Sequence, residues 1–176
     1  GPNAVLANLI GQKKRDEISG MLHTILAFGG ILGLVMMGLG WASARVVLEL
    51  SGTPESVLDQ ALLYIRIYFV SLPFMMIYNF GSAALRSFGD TKRPMYYLIL
   101  SGIVNVILNL VFVIYFHMDV AGVALATVIS QCISAALVVR CLMKETGPLR
   151  LDFRQLKIYP IKLKQIMQVG LSLIHI

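Results

Sequence analysis

YIRIYFVSLPFMMIYNFGSAALRSFGDTKRPMYYLILSGIVNVILNLVFVIYF, residues 64–116, reads as two membrane-spanning helices joined by one short basic turn. Ile67 to Leu85 is 19 residues without a charge. At about 1.5 Å per residue that run covers roughly 28 Å, close to the thickness of a bilayer's hydrocarbon core. The turn GDTKRP sets Gly89 where a helix C-terminus favours a left-handed residue, and Pro94 where the first turn of the next helix tolerates proline. Pro94 to Met118 is again free of lysine, arginine, aspartate and glutamate, and it holds Asn105 and Asn109. Two amides at i, i+4 share one helix face, and near mid-membrane such groups are costly and usually functional.

The rest of the chain has the same character. Of its 176 residues 57% are hydrophobic and 14% charged, against about 25% charged in a soluble domain. The mean hydropathy is +0.78. These values predict an all-α integral membrane protein, a polytopic helix bundle with the lipid bilayer as a partner. The net charge of +6 belongs to the loops rather than to a basic face on a soluble fold, so nucleic acid is not expected as a partner. Cys132 and Cys141 both lie in an apolar segment and read as free thiols. The chain opens at Gly1 inside an apolar run, which reads as a fragment.

Working outward gives six predicted spans: 1–12 (partial), 22–48, 54–88, 94–116, 120–143 and 165–176 (partial). The first is expected to end at Gly11, with a polar loop from Lys13 to Glu17. In the second, Gly29 and Gly33 form a small-xxx-small pair that allows a neighbouring helix to approach closely, and Trp41 marks an interface. Thr53-Pro54-Glu55 reads as a helix start, with threonine as the cap. Pro73 removes the hydrogen bond to the Phe69 carbonyl and is predicted to kink the third span. Arg66, between Tyr64 and Tyr68, is placed to anchor at the interface. Residues 140–164 read as a basic interfacial connector with an amphipathic portion.

Charge placement sets the orientation. The connections at 11–17, 86–93 and 140–164 hold thirteen of the fifteen lysines and arginines, while those at 49–59 and 117–120 hold none. The positive-inside rule therefore puts every second connection, around Lys14, Lys92 and Arg154, in the cytoplasm.

Polar residues recur at helical spacing: Asn79, Ser82 and Arg86; Ser101, Asn105 and Asn109; Thr127, Ser130, Gln131 and Ser134. Each set is expected along one face. Serines of this kind commonly bond helices together, the expectation for Ser101, Ser130 and Ser134. Asparagine leaves more capacity to satisfy, so Asn79, Asn105 and Asn109 read as cavity lining. No acid–base pair, metal-ligand spacing or phosphate loop accompanies them, so an enzyme is not expected.

GTPESVLDQALLYIRIYFVSLPFMMIYNFGSAALRSFGDTKRP, VNVILNLVFVIYF and VAGVALATVISQ resemble, in that order, the multidrug and toxic compound extrusion (MATE) transporters. The resemblance implies a twelve-helix, two-lobe fold working by alternating access, in which organic cations or drugs leave the cell in exchange for sodium or protons. It places this chain in the amino-terminal lobe, from the end of helix two through helix six to the start of helix seven. It also implies the rest of the same polypeptide as a partner, a multi-pass location in a bacterial inner membrane, and no cofactor beyond the coupling ion. Substrate and cation binding would fall to Asn79, Asn105, Asn109, Thr127 and Gln131, with sodium at Asn105 and Asn109; Pro73, Gly89 and Pro94 would be conformational. Many family members carry aspartate where Asn109 stands, and the SLIHI ending departs from the proline-containing continuation usual there, reading as a truncation or artefact. The alternatives are a lipid-linked precursor flippase of the same superfamily and a non-transporting bundle such as a sensor subunit.

Overall fold

The computed structural model describes the backbone of residues 2–156 and 159–175, and the side chains of 15–156, 159–165, 167 and 168. All regular elements among the described residues are helical. They are α1 (Pro2–Leu50), α2 (Glu55–Ser87), α3 (Lys92–Leu110), α4 (Val120–Lys144) and α5 (Pro160–His175). A π-helical segment, Val111–Tyr115, prolongs α3, and a 3-10 turn, Phe153–Gln155, lies between α4 and α5. Among the described residues four helices are long and apolar enough to cross a membrane: Arg15–Leu50, Glu55–Ser87, Lys92–Tyr115 and Val120–Lys144.

α1 corrects the sequence reading. A break at Gly11 and a loop through Glu17 were predicted, yet the backbone stays helical from Pro2 to Leu50. The run Gln12-Lys13-Lys14-Arg15 consists of good helix formers, and an isolated glycine costs only about 1 kcal/mol against alanine. Loss of hydrophobicity marks where a helix leaves the hydrocarbon, not where its hydrogen bonds stop.

The turns are built by glycine closures. Gly52 has φ +79; its N–H bonds the Glu49 carbonyl at 3.2 Å, and the Thr53 N–H bonds the Leu48 carbonyl at 3.1 Å. This is a Schellman closure. The predicted threonine cap on α2 is not made: the residue before α2 is Pro54, with no side-chain cap. Gly89, φ +88, closes α2 in the same way. α3 then starts at Lys92, two residues before the expected position, so Pro94 sits among the amides that have no intrahelical acceptor in any helix. The Arg93 N–H is taken by Asp90 Oδ1 at 3.2 Å. α5 starts at Pro160, five residues ahead of the predicted span, again with proline in the first turn.

α2 lies between α1 and α4, and α3 packs on α4 while barely touching α2. The α1–α2 seam is set by glycine. A Cβ on Gly33 would stand 2.5 Å from Pro73 Cα, on Gly29 2.3 Å from the Phe80 ring, and on Gly40 2.7 Å from the Phe69 ring. The expected close approach at Gly29 and Gly33 is therefore present, and α2 contributes its proline to it. Gly81 gives the α2–α4 seam the same proximity, against Val138. α3 is peripheral: only 6% of its apolar window is buried, against 39% for α4.

The core gathers at one end of the bundle, where Leu22, Leu26, Tyr78, Leu85, Val138, Cys141, Leu142, Leu149 and Leu151 cluster. The connector after α4 is docked there. The Leu151 N–H bonds the Leu142 carbonyl at 2.9 Å. The Asp152 N–H donates to His23 Nε2 at 3.1 Å, and His23 Nδ1 in turn donates to the Ser19 carbonyl at 2.6 Å. The Tyr159 N–H reaches Thr24 Oγ1 at 3.2 Å. His23 and Thr24 are fully buried and fasten the connector to α1.

Candidate functional site

The α3–α4 contact is registered by one buried bond, Ser101 Oγ to the Ser130 carbonyl at 2.9 Å. The helices run antiparallel, joined by the turn at 116–119. Asn105 lies about 6 Å along the axis from Ser101, and Thr127 about 4.5 Å along from Ser130 in the same direction. They therefore sit at nearly one depth, near the midpoint of the span Lys92–Tyr115. Asn105, Asn109, Thr127 and Gln131 are all half-buried. Asn109 Nδ2 donates to Asn105 Oδ1 at 3.1 Å. Asn109 Oδ1 is buried with no hydrogen-bond partner among the described residues. An orphaned amide oxygen in an apolar span is costly, and its two lone pairs suit a cation or a donor on a solute.

The serines divide. Ser101 crosses between helices, as expected of helix glue. Ser130 and Ser134 instead bond carbonyls of their own helix, Thr127 and Gln131, both at 2.9 Å. Thr127 Oγ1 does likewise to Val123 at 3.1 Å. Asn109 pairs with Asn105 rather than with Thr127 or Gln131 across the seam.

Burial varies along the α2 stripe. Ser82 is fully buried, whereas Asn79 and Arg86 are exposed. A three-residue step turns a helix by about 300°, enough to carry a boundary residue from surface to interior. Asn79 makes no hydrogen bond to the α3–α4 amides among the described residues. Pro73 is buried against Gly33 on the opposite seam.

Towards the other end of the bundle, Trp41 and Arg66 lock α1 to α2. Trp41 Nε1 donates to the Arg66 carbonyl at 2.7 Å, Arg66 Nη2 to the Trp41 carbonyl at 3.4 Å, and the guanidinium lies 6.0 Å from the indole centroid. The interfacial pair is a reciprocal clasp, with the cation over the aromatic face adding to it.

Sequence reasoning missed a charged junction. Arg93 bonds both Asp90, in its own turn, and Glu145, just past the end of α4. Tyr78 Oη also donates to the Pro94 carbonyl at 2.8 Å. The α2–α3 turn is thereby tied to the end of α4. The Arg93 hydrogen bond holds the Asp90 carboxyl below the usual aspartate range. Asp90 and Arg93 at i, i+3 were visible as a local pair, but Glu145 is 52 residues away in sequence.

Among the described residues no cluster of three His, Cys, Asp or Glu is arranged to hold a metal. The fold and this polar seam define a multi-pass membrane helix bundle. The chain belongs to the MatE family, whose model matches residues 1–111. It is 37% identical over 135 residues to the probable multidrug resistance protein YpnP of Bacillus subtilis, an alignment covering 75% of this chain and 30% of that protein. A solved inward-facing multidrug resistance MATE family transporter superposes with a TM-score of 0.72 at 19% identity, over 89% of this chain and 41% of that one. An outward-facing structure gives 0.72 at 20% identity, over 89% and 39%. The chain spans about a third of the length of the curated relatives it matches.

Proposed function

We propose that this chain is part of the amino-terminal lobe of a transporter that exports organic cations or drugs across the bacterial inner membrane in exchange for sodium or protons. The observation that carries this function is the buried Asn109 Oδ1, without a partner among the described residues, beside Asn105 at mid-membrane depth. In alternating access the lobe moves as a unit, and the equal superposition on inward- and outward-facing relatives supports that role.

On this proposal Asn105 and Asn109 offer amide oxygens to the coupling cation or to a solute donor, with Thr127 and Gln131 at the edge of the same face. Neutral amides do not exchange a proton near neutral pH, so any titrating carboxylate comes from elsewhere in the whole polypeptide. Asn79, exposed on α2, would meet solute only where another part of the transporter closes over it.

The test uses the full-length transporter carrying Asn109→Ala and Asn109→Asp, measured for expression and for efflux against pH and sodium. The alanine variant should express normally and lose efflux, and the aspartate variant should change its cation dependence. If the alanine variant lowers expression while the surviving protein exports as before, Asn109 is a packing residue and the pocket lies elsewhere.

A further inference from the structure

We infer that the connector after α4 forms a binding site for the headgroup of an anionic phospholipid. Arg150 and Arg154 line one cleft of about 390 Å³, together with Met143, Leu151, Asp152 and Phe153. Both arginines are exposed, and neither has an acidic partner among the described residues. The two nearby acids are otherwise engaged: Glu145 is held by Arg93, and Asp152 Oδ1 accepts the Arg154 backbone N–H at 3.0 Å. The cleft therefore carries two cations against one carboxylate, with Arg140 and Lys144 exposed at the adjoining end of α4.

The apolar surroundings point to a lipid rather than a soluble anion. Cys132, Ala136, Arg140 and Met143, at i, i+4, i+8 and i+11, share one exposed face of α4. That face is apolar along the span and becomes basic where the helix ends, the polarity an acyl chain and its phosphate need. Phe153, 55% exposed, stands between the two arginines in sequence, and Leu156 is exposed beside them. The platform is fixed, because the backbone of Leu151 and Asp152 is bonded to Leu142 and His23. It lies at the same membrane end as Lys92 and Arg93, since Arg93 reaches Glu145. A basic patch at a membrane face attracts anionic headgroups with about a fivefold preference per arginine.

The test places Phe153→Trp in the full-length protein, reconstituted in nanodiscs containing brominated phosphatidylglycerol or brominated phosphatidylcholine. Emission of the parent protein is subtracted. Quenching should half-saturate at a mole fraction at least about fivefold lower for phosphatidylglycerol, and adding Arg150→Gln with Arg154→Gln should merge the two curves. Excess inorganic phosphate should leave them in place. Equal half-saturation in the Phe153→Trp variant overturns the site without recourse to the arginine substitutions. So does an absence of quenching, which would show the face covered by the rest of the polypeptide, and so does displacement by phosphate.

Discussion

Replacing Gly33 with alanine tests the α1–α2 seam most directly. The new Cβ would lie 2.5 Å from Pro73 Cα, 3.0 Å from Pro73 N and 3.2 Å from the Leu72 carbonyl oxygen. All three are backbone atoms, so no rotamer change relieves the clash. Carbon atoms settle at about 3.5–4.0 Å, so the helices must part locally by roughly 1–1.5 Å. Overpacking of this kind costs about 1–3 kcal/mol. Gly30→Ala is the control: it brings the same gain in helix propensity, yet nothing lies within 4 Å of its Cβ. The difference between the two variants isolates the clash and amounts to roughly a five- to 150-fold change in folded population. Gly29→Ala should fall between them, because its Cβ meets the Phe80 ring, a side chain that can turn away. Midpoints of SDS-induced unfolding of the full-length protein, followed by loss of helical circular dichroism, would rank the series. Equal midpoints for Gly33→Ala and Gly30→Ala would refute the close approach.

Asp90→Asn should destabilise at neutral pH. The depressed Asp90 carboxyl contributes stability above the ordinary aspartate pKa of about 3.9 and loses it as pH falls through its lower folded value, so the gap from wild type should be full at neutral pH and close in strong acid as that carboxyl protonates. Pro73→Ala in the full-length protein should insert normally and lose export, as a regained hydrogen bond to Phe69 removes the kink that the sequence predicts; wild-type efflux would make the proline a packing residue alone. Single cysteines replacing Lys14, Lys92, Arg154, Glu55 and Asp119, with Cys132 and Cys141 removed, should react with an impermeant thiol reagent in intact cells only at Glu55 and Asp119. Labelling at Lys92 but not at Asp119 would reverse the orientation.

The membrane-spanning character of the chain was legible because charge-free runs of bilayer length have no other reading, and the Gly29–Gly33 spacing already specified a close neighbour. Helix boundaries were less legible. Charges from Lys13 to Glu17 marked a change of solvent, and the backbone continued through it. Thr53 was expected to cap α2, but α2 begins one residue later than expected, behind Pro54, and the Thr53 N–H closes α1 instead. On α2 the spacing set Asn79 and Ser82 close together around the helix, but packing buried Ser82 and left Asn79 exposed, a difference that spacing alone does not carry. The α3 amides were visible from their i, i+4 spacing; the vacancy at Asn109 Oδ1 was not, because it depends on what α4 fails to offer. Arg93 with Glu145, and His23 with Asp152, pair residues too distant in sequence for any local pattern to join.

Docking of the connector has a mechanical consequence. A free strand over residues 145–159 would sweep roughly 50 Å and let whatever follows wander. Leu151, Asp152 and Tyr159 are instead each bonded to the bundle. α5 therefore springs from a fixed point beside Thr24, one residue before Pro160. Motion of α5 against the bundle is then a swing about that pivot, like a door on its jamb. Lys162, whose ammonium holds the Glu17 carbonyl at 2.7 Å, is the latch that such a swing must first release.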